Sequence, residues 1–179
     1  MLRKSLLIVA ALACAAAGPK PASREHKPSA PAPAARPAGF DARDPATLIA
    51  LLATLNAQAQ IVRTDGDSVF LAVTSPTEVF SVQFAGCDKQ GHACQAMLFD
   101  RQGTEGQPTL PQINAFNQTS VMCRAYQEKG GRPHLEYSTL VFPADGRAEM
   151  LMHINAWRGC IGDFSAFLKD PTGFLANAP

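Results

Sequence analysis

The clearest hydrophobic pattern in this chain lies near its C-terminal end. Large apolar residues recur there at alternating spacings of four and three, namely at Met150, Ile154, Trp157, Ile161, Phe164 and Leu168. This spacing places them on one face of an α-helix, and such a face must be buried against another element. Gly159 and Gly162 each weaken this helix by up to about 1 kcal/mol relative to Ala, and they suggest either close packing on a sheet or a kink.

Two shorter helices are predicted upstream. Asp44-Pro45 is typical of a helix start, because Asp caps free backbone N–H groups and Pro is tolerated in the first turn. The apolar face that follows consists of Leu48, Leu51, Leu52 and Leu55. Thr109 can cap the second helix, whose apolar positions are Leu110, Ile113 and Phe116. Both helices are therefore predicted to pack one face on the rest of the domain.

Short β-type runs separate the helices. Residues 60–63 look extended, and residues 69–73, 79–84 and 96–99 are predicted strands, followed after the second helix by strands in 120–126 and 135–142. The connecting loops are too short for crossovers, so the strands are predicted to be antiparallel. The predicted fold is α+β, an antiparallel sheet with helices packed on it in the order α-β-β-β-α-β-β-α.

The N-terminal pattern predicts export. Arg3 and Lys4 precede a short apolar run and a series of small residues that ends at Ala17, as in a secretory signal. We expect a signal peptide at 1–17, a disordered Pro/Ala-rich linker at 18–39, one folded domain at 40–170 and a flexible tail at 171–179. Cys14 keeps an alternative open, in which the protein is an envelope lipoprotein anchored through this residue.

The charge of the chain excludes one class of partner. Its formal net charge is +1, and removal of Arg3 and Lys4 would leave 14 basic against 15 acidic residues, which is −1. Such a near-neutral chain has no electrostatic attraction to nucleic acid or anionic lipid. We expect no nucleic-acid partner, and membrane association only if Cys14 is lipidated.

Four cysteines remain if Cys14 is removed or modified. Cys87 and Cys94 flank a polar loop between two predicted strands, where a disulfide is within reach. Cys123 lies on a later strand and Cys160 on the last helix, so these two either form a second disulfide or remain buried free thiols. An even number of cysteines in an exported chain favours two disulfides and a periplasmic or secreted location.

Catalytic and metal chemistry has little support in the sequence. Cys87, His92 and Cys94 could form a thiol-redox or metal-binding site, but the spacing is not C-x-x-C and a fourth metal ligand would have to come from elsewhere. His134 and His153 are interpreted as ordinary surface or half-buried histidines. Motifs of hydrolases, metalloproteases and phosphate-binding loops do not occur. We therefore predict no catalytic residues, no metal and no cofactor.

Three stretches resemble the YbjN-domain family of bacterial proteins. Residues 79–87, which read Val-Phe-Ser-Val-Gln-Phe-Ala-Gly-Cys, with Cys94 following, are similar to the strand and cysteine pair of its secreted members. Residues 113–117 resemble the family's Ile-Asn-x-Trp-Asn helix, with Phe116 in place of Trp. Residues 123–126 with the Gly130-Gly131 turn and Leu135-Glu136 carry the third similarity, although Ser138 stands where an acidic residue is usual.

This resemblance implies a fold like that of type III secretion chaperones and a non-enzymatic role in sensory transduction. The function expected from it is an exported regulatory or binding module that engages an unknown protein partner in the bacterial envelope. Asn114, Phe116 and Asn117 are candidates for partner binding. The alternative interpretation is that Phe116 packs inward and the two amides hydrogen-bond nearby backbone.

Overall fold

The computed structural model describes residues 39–178 of the protein. The predicted signal peptide at 1–17, which includes Cys14, and residues 18–38 of the predicted linker lie outside the described residues. The helices are α1 (Pro45–Thr54), α2 (Leu110–Thr119), α3 (Arg147–Lys169) and α4 (Pro171–Ala176). The strands are β1 (Gln58–Asp65), β2 (Ser68–Thr74), β3 (Val79–Ala85), β4 (Ala96–Gln102), β5 (Arg124–Gln127) and β6 (Pro133–Leu140).

The six strands form one antiparallel sheet in the order β1-β2-β3-β4-β6-β5. Strands β1 to β4 form a meander of neighbouring strands. Helix α2 connects β4 to β5, which forms the far edge of the sheet. Strand β6 then returns between β4 and β5. The predicted α+β class with an antiparallel sheet is confirmed.

The element order differs from the prediction in two places. Strand β1 is a full strand paired with β2, with a bulge between Ile61 and Arg63, so four strands rather than three precede α2. This edge strand is exposed along most of its length and therefore lacks the apolar alternation that marks a half-buried strand. The predicted tail at 171–179 contains α4, which begins where the Asp170 side chain accepts a hydrogen bond from the Gly173 N–H.

The core lies on one face of the sheet, because alternate strand residues point toward it. These buried residues are Val69, Leu71, Val73, Val82, Phe84, Met97, Phe99, Leu135 and Tyr137. All six stripe residues predicted for α3 are buried as well. The Trp157 ring lies 5.7 Å from the Phe99 ring and 5.8 Å from the Phe80 ring, measured between centroids, so α3 packs directly on this face.

No helix within residues 39–178 covers the opposite face of the sheet, and we call it the open face. It is formed by the alternate residues of the strands, among them Phe70 and Ala72 on β2, Ser81 and Gln83 on β3, Leu98 and Asp100 on β4, His134, Glu136 and Ser138 on β6, and Tyr126 on β5. None of these residues is fully buried. The sheet therefore has one face in the core and one available to solvent.

The helix ends follow the predicted capping. The Asp44 side chain accepts a hydrogen bond from the Ala46 N–H at 2.9 Å, and Thr109 and Gln112 form a reciprocal capping box. Helix α3 runs without interruption through Gly159 and Gly162. Both glycines are exposed, and a Cβ at either would meet no atom within 4 Å. The expectation that they permit close packing or a kink is therefore wrong.

Helix length and hydropathy also bear on membrane insertion. Within residues 39–178, none of the helices combines the length and the apolar character needed to span a bilayer.

Candidate functional site

The loop between β3 and β4 is closed by a disulfide between Cys87 and Cys94, whose Cα atoms are 3.8 Å apart. Inside the loop, the Asp88 carboxylate accepts hydrogen bonds from the backbone N–H groups of Gln90 and His92, each at 2.9 Å. The Cys94 N–H donates to the Arg43 carbonyl at 3.0 Å, which ties the loop to the start of α1. These contacts give the loop a structural role.

A second disulfide joins Cys123, just before β5, to Cys160 on α3, with the two Cα atoms 6.1 Å apart. Both predicted cysteine pairs are thus brought together. This bridge connects the sheet edge to the helix that covers the core. Paired cysteines of this kind are typical of proteins in oxidising, extracytoplasmic compartments.

Cys87, His92 and Cys94, the residues of the predicted redox or metal site, lie in the loop between β3 and β4. Both sulfur atoms are engaged in the disulfide, so neither is a thiolate ligand. His92 is half exposed, and its Nδ1 lies 3.2 Å from Asp44 Oδ1. In the part of the chain that the structure describes, His, Cys, Asp and Glu side chains do not assemble in groups of three or more suited to a metal ion.

The three partner-binding candidates on α2 have different environments. Phe116 is 1% exposed and packs 4.8 Å from the Phe167 ring, measured between centroids. Asn117 accepts a hydrogen bond from the Ala125 N–H at 2.7 Å and donates one to the Ala125 carbonyl at 3.0 Å, which attaches α2 to β5. Asn114 alone is exposed. Phe116 and Asn117 therefore have structural contacts, and Asn114 remains the accessible candidate of the three.

The open face contains a pocket of about 270 Å³ near its centre. Side chains on one face of a strand recur every second residue. Such residues from five adjacent strands line the pocket. Its walls and floor are formed by Phe70, Ser81, Gln83, Leu98, Asp100, Tyr126 and Glu136. Asp100 on β4 pairs with Ser81 on β3 and with Glu136 on β6, so two carboxylates lie side by side across neighbouring strands.

Asp100 is held by two aromatic neighbours at the edge of the pocket. Its carboxylate accepts a hydrogen bond from the Tyr126 hydroxyl at 3.3 Å and lies 3.2 Å from His134 Nδ1. The Tyr126 and His134 rings stack, with centroids 4.9 Å apart. Burial, together with the charge of Asp100, raises the pKa of Tyr126 to about 12. Tyr126 therefore stays protonated at neutral pH and can donate its hydrogen bond.

Glu136 lacks such support. Burial and the neighbouring charge of Asp100 raise the pKa of this carboxyl above its ordinary value. Arg124 is paired with it across β5 and β6, but the Arg124 Nη1 donates instead to the carbonyls of Ser120 and Cys123, each at 2.8 Å. Among the described residues, Glu136 has no salt-bridge partner within 4.0 Å. The pocket thus contains an acidic pair of which one member, Glu136, has no counter-charge among the described residues.

Sequence reasoning missed this pocket as a site. Glu136 entered only as part of a family similarity, and His134 only as a strand residue beside a turn. The signal that could have found part of the pocket is the alternation of polar and apolar residues on the predicted strands at 79–84 and 135–142, together with Asp100 directly after the predicted strand 96–99. With the strand order β3-β4-β6, that alternation places Ser81, Asp100 and Glu136 in one row.

Comparison with known proteins gave no match to a family model, to a curated protein or to a solved structure. The function is therefore inferred from the geometry of the molecule.

Proposed function

We propose that this protein is an exported, non-enzymatic binding module that engages a protein partner through the open face of its sheet. The observation that supports this proposal most directly is the pocket on that face, where Asp100 and Glu136 lie side by side. Among residues 39–178, Glu136 has no salt-bridge partner. A half-buried pair of like charges costs stability, and a partner that supplies positive charge recovers part of that cost.

Exposed apolar side chains extend the same face beyond the pocket. Val79 on β3 is 66% exposed and Leu140 on β6 is 60% exposed. Both belong to the alternating set that includes Ser81 and Glu136. Apolar residues around a polar centre offer a second protein both burial and specific contacts.

Two observations support export to an extracytoplasmic space. The disulfides Cys87–Cys94 and Cys123–Cys160 are of the kind that persist where thiols oxidise. The N-terminal 17 residues have the composition of a secretory signal. We place the module in the bacterial envelope as a regulator of the YbjN type, on the sequence similarity alone. Lipidation at Cys14 would change its attachment but leave the domain as described.

The arrangement of polar groups favours binding over catalysis. In a nucleophilic triad, the histidine lies between the carboxylate and the hydroxyl. Here the Asp100 carboxylate is central, with Ser81 paired on one side and His134 Nδ1 at 3.2 Å. Among residues 39–178, the other ring nitrogen of His134 has no hydrogen-bond partner, so it contacts no hydroxyl or thiol that it could activate.

The proposal is tested by photo-crosslinking in the native host. A photoreactive amino acid is placed at Ser138 on the open face and, as a matched control, at Met152, which is exposed on α3. We expect a discrete protein adduct from Ser138 and none from Met152. Adducts from Met152 alone, or from neither position, would contradict the proposal.

A further inference from the structure

We infer that the open-face pocket receives a basic side chain, lysine or arginine, from the protein partner. This inference rests on the proposed function and specifies the chemistry of the partner. Two of the seven lining residues are carboxylates and none of the seven is basic. The pocket is therefore complementary to a cation.

His134 Nδ1 contacts the Asp100 carboxylate at 3.2 Å, but the two nearby arginines are held elsewhere. Arg124 is held by the two carbonyls near β5. Arg63 places its guanidinium over the Phe70 ring, 3.9 Å from the centroid, and lies 3.9 Å from Asp65 Oδ2. Neither arginine lines the pocket. A cation bound in the pocket would separate the charges of Asp100 and Glu136, whose positions directly oppose each other across the strands.

Aromatic side chains at two ends of the pocket favour the same occupant. Phe70 on β2 and Tyr126 on β5 both line it. A cation placed near the face of an aromatic ring gains about 0.5–2 kcal/mol, depending on how far it is desolvated. The Arg63–Phe70 contact shows that this face already holds one guanidinium in that way. A second cation beside Tyr126 would meet this ring and the Asp100 carboxylate, which the Tyr126 hydroxyl contacts at 3.3 Å.

The dimensions and surroundings of the pocket favour a protein side chain over a free amine. The row from β2 to β5 spans four strand spacings, or roughly 19 Å, which accommodates a side chain together with a short stretch of extended backbone. The exposed apolar residues Val79 and Leu140 lie on the same face outside the pocket. A small polyamine would leave them uncovered, whereas a protein segment buries them.

The test measures binding of a fluorescein-labelled hexa-arginine peptide and a hexa-lysine peptide to the oxidised, exported protein by fluorescence anisotropy. The pocket variant is Asp100→Asn with Glu136→Gln. The matched control is Glu105→Gln with Asp163→Asn, which removes the same charge from exposed positions that make no ion pair among the described residues. Thermal melting of both variants verifies that they fold.

We expect at least one basic peptide to bind the wild type and the pocket variant to weaken that binding by about tenfold or more, since a lost charge-assisted contact has effects of this size. The control variant should change it by less than about twofold, as for other exposed charges. Equal weakening by both variants, or no binding of either peptide to the wild type, would overturn the inference. A hexa-glutamate peptide should not bind.

Two further outcomes separate this inference from the proposed function. If spermidine competes as well as the basic peptides do at equal charge concentration, the pocket does not prefer a protein side chain to a free amine, and this part of the inference is wrong. If Ser138 gives its protein adduct in cells but the pocket variant gives the same adduct at the same yield, the open face binds a partner without the basic contact. Loss of the Ser138 adduct in the pocket variant, but not in the control variant, supports the inference.

Discussion

Asp100 and Glu136 oppose each other directly on the neighbouring strands β4 and β6, in the centre of the sheet's open face. Like charges at such positions destabilise a sheet. Asp100 is supported by Tyr126 and His134, whereas Glu136 is left without a cation among the described residues. The domain thus keeps an unfavourable pair of like charges on its open face. A role in recognition explains why the two carboxylates are together.

The first prediction concerns the stability cost of this pair. Because the folded state raises the pKa of Glu136 above 4.5, folding favours the protonated carboxyl, and the free energy of unfolding falls as the pH rises through the folded pKa. Glu136→Gln should therefore increase stability at pH 7 by about 0.2–1 kcal/mol, the range for a cross-strand pair. The gain should disappear at a pH well below the ordinary carboxyl pKa, where the wild-type carboxyl is protonated in both the folded and the unfolded state. Denaturant unfolding at both pH values measures it, with the exposed Glu105→Gln variant as the control.

The glycines of α3 offer a second prediction. A Cβ at Gly159 or Gly162 would lie in open space, so Ala at either position adds helix propensity without a clash. Each substitution should stabilise the protein by about 0.5–1 kcal/mol. Gly106→Ala is the opposite case, because Gly106 has φ +70° and its added Cβ would collide with the Leu168 carbonyl. Thermal melting should show an increase for the α3 variants and a decrease for Gly106→Ala; a decrease for all three would contradict the α3 geometry.

Much of this architecture was accessible from the sequence because the core-facing elements have strong periodicity. The α3 stripe from Met150 to Leu168 and the helix starts at Asp44 and Thr109 are local signals, and the structure contains them. Edge strand β1 carries no such signal, since both of its faces are exposed. Helix α4 was not predicted because the segment 171–179 is short. Its helix depends on packing of Phe174 against Phe116 and Phe167.

The site was less accessible for a different physical reason. Asp100 and Glu136 are brought together only by the placement of β6 beside β4, which is a long-range pairing that no local pattern specifies. The environment of Arg124 also depends on tertiary structure, because the carbonyls that bind it lie in the bend before β5. The family similarity in residues 113–117 suggested partner-binding residues on α2. In the structure, Phe116 packs in the core and Asn117 connects α2 to β5.

The third prediction distinguishes the two asparagines of α2. Asn117→Ala would leave the Ala125 backbone N–H and carbonyl without their partners, which costs about 1–3 kcal/mol. Asn114→Ala should change stability by less than about 0.5 kcal/mol, because Asn114 is exposed and makes no side-chain hydrogen bond with the described residues. Chemical denaturation compares the two variants. Equal effects would show that the hydrogen bonds between Asn117 and Ala125 are not formed in solution.

The fourth prediction concerns the cross-links. The Cys123–Cys160 bridge spans 37 residues and the Cys87–Cys94 bridge spans 7. On the loop-entropy model, replacing both cysteines of the longer bridge by Ser costs roughly 4 kcal/mol, against roughly 2.5 kcal/mol for the shorter. Non-reducing peptide mapping should recover both pairs from the exported protein. Unfolding of the two double variants should then rank them in this order, and full alkylation of the native protein without reductant would contradict the pairing.

Docking of a protein on the open face is tested most directly by a photo-crosslinking scan of the native protein in its host. Ser138 and Gln83 represent the open face, Met152 the exposed side of α3, and Asn114 the exposed position on α2. We expect one protein species to crosslink from Ser138 and Gln83, with loss of that species when Asp100 and Glu136 are both neutralised. Crosslinks that arise only from Asn114 or Met152 would place the partner on the helical side and contradict docking on the sheet.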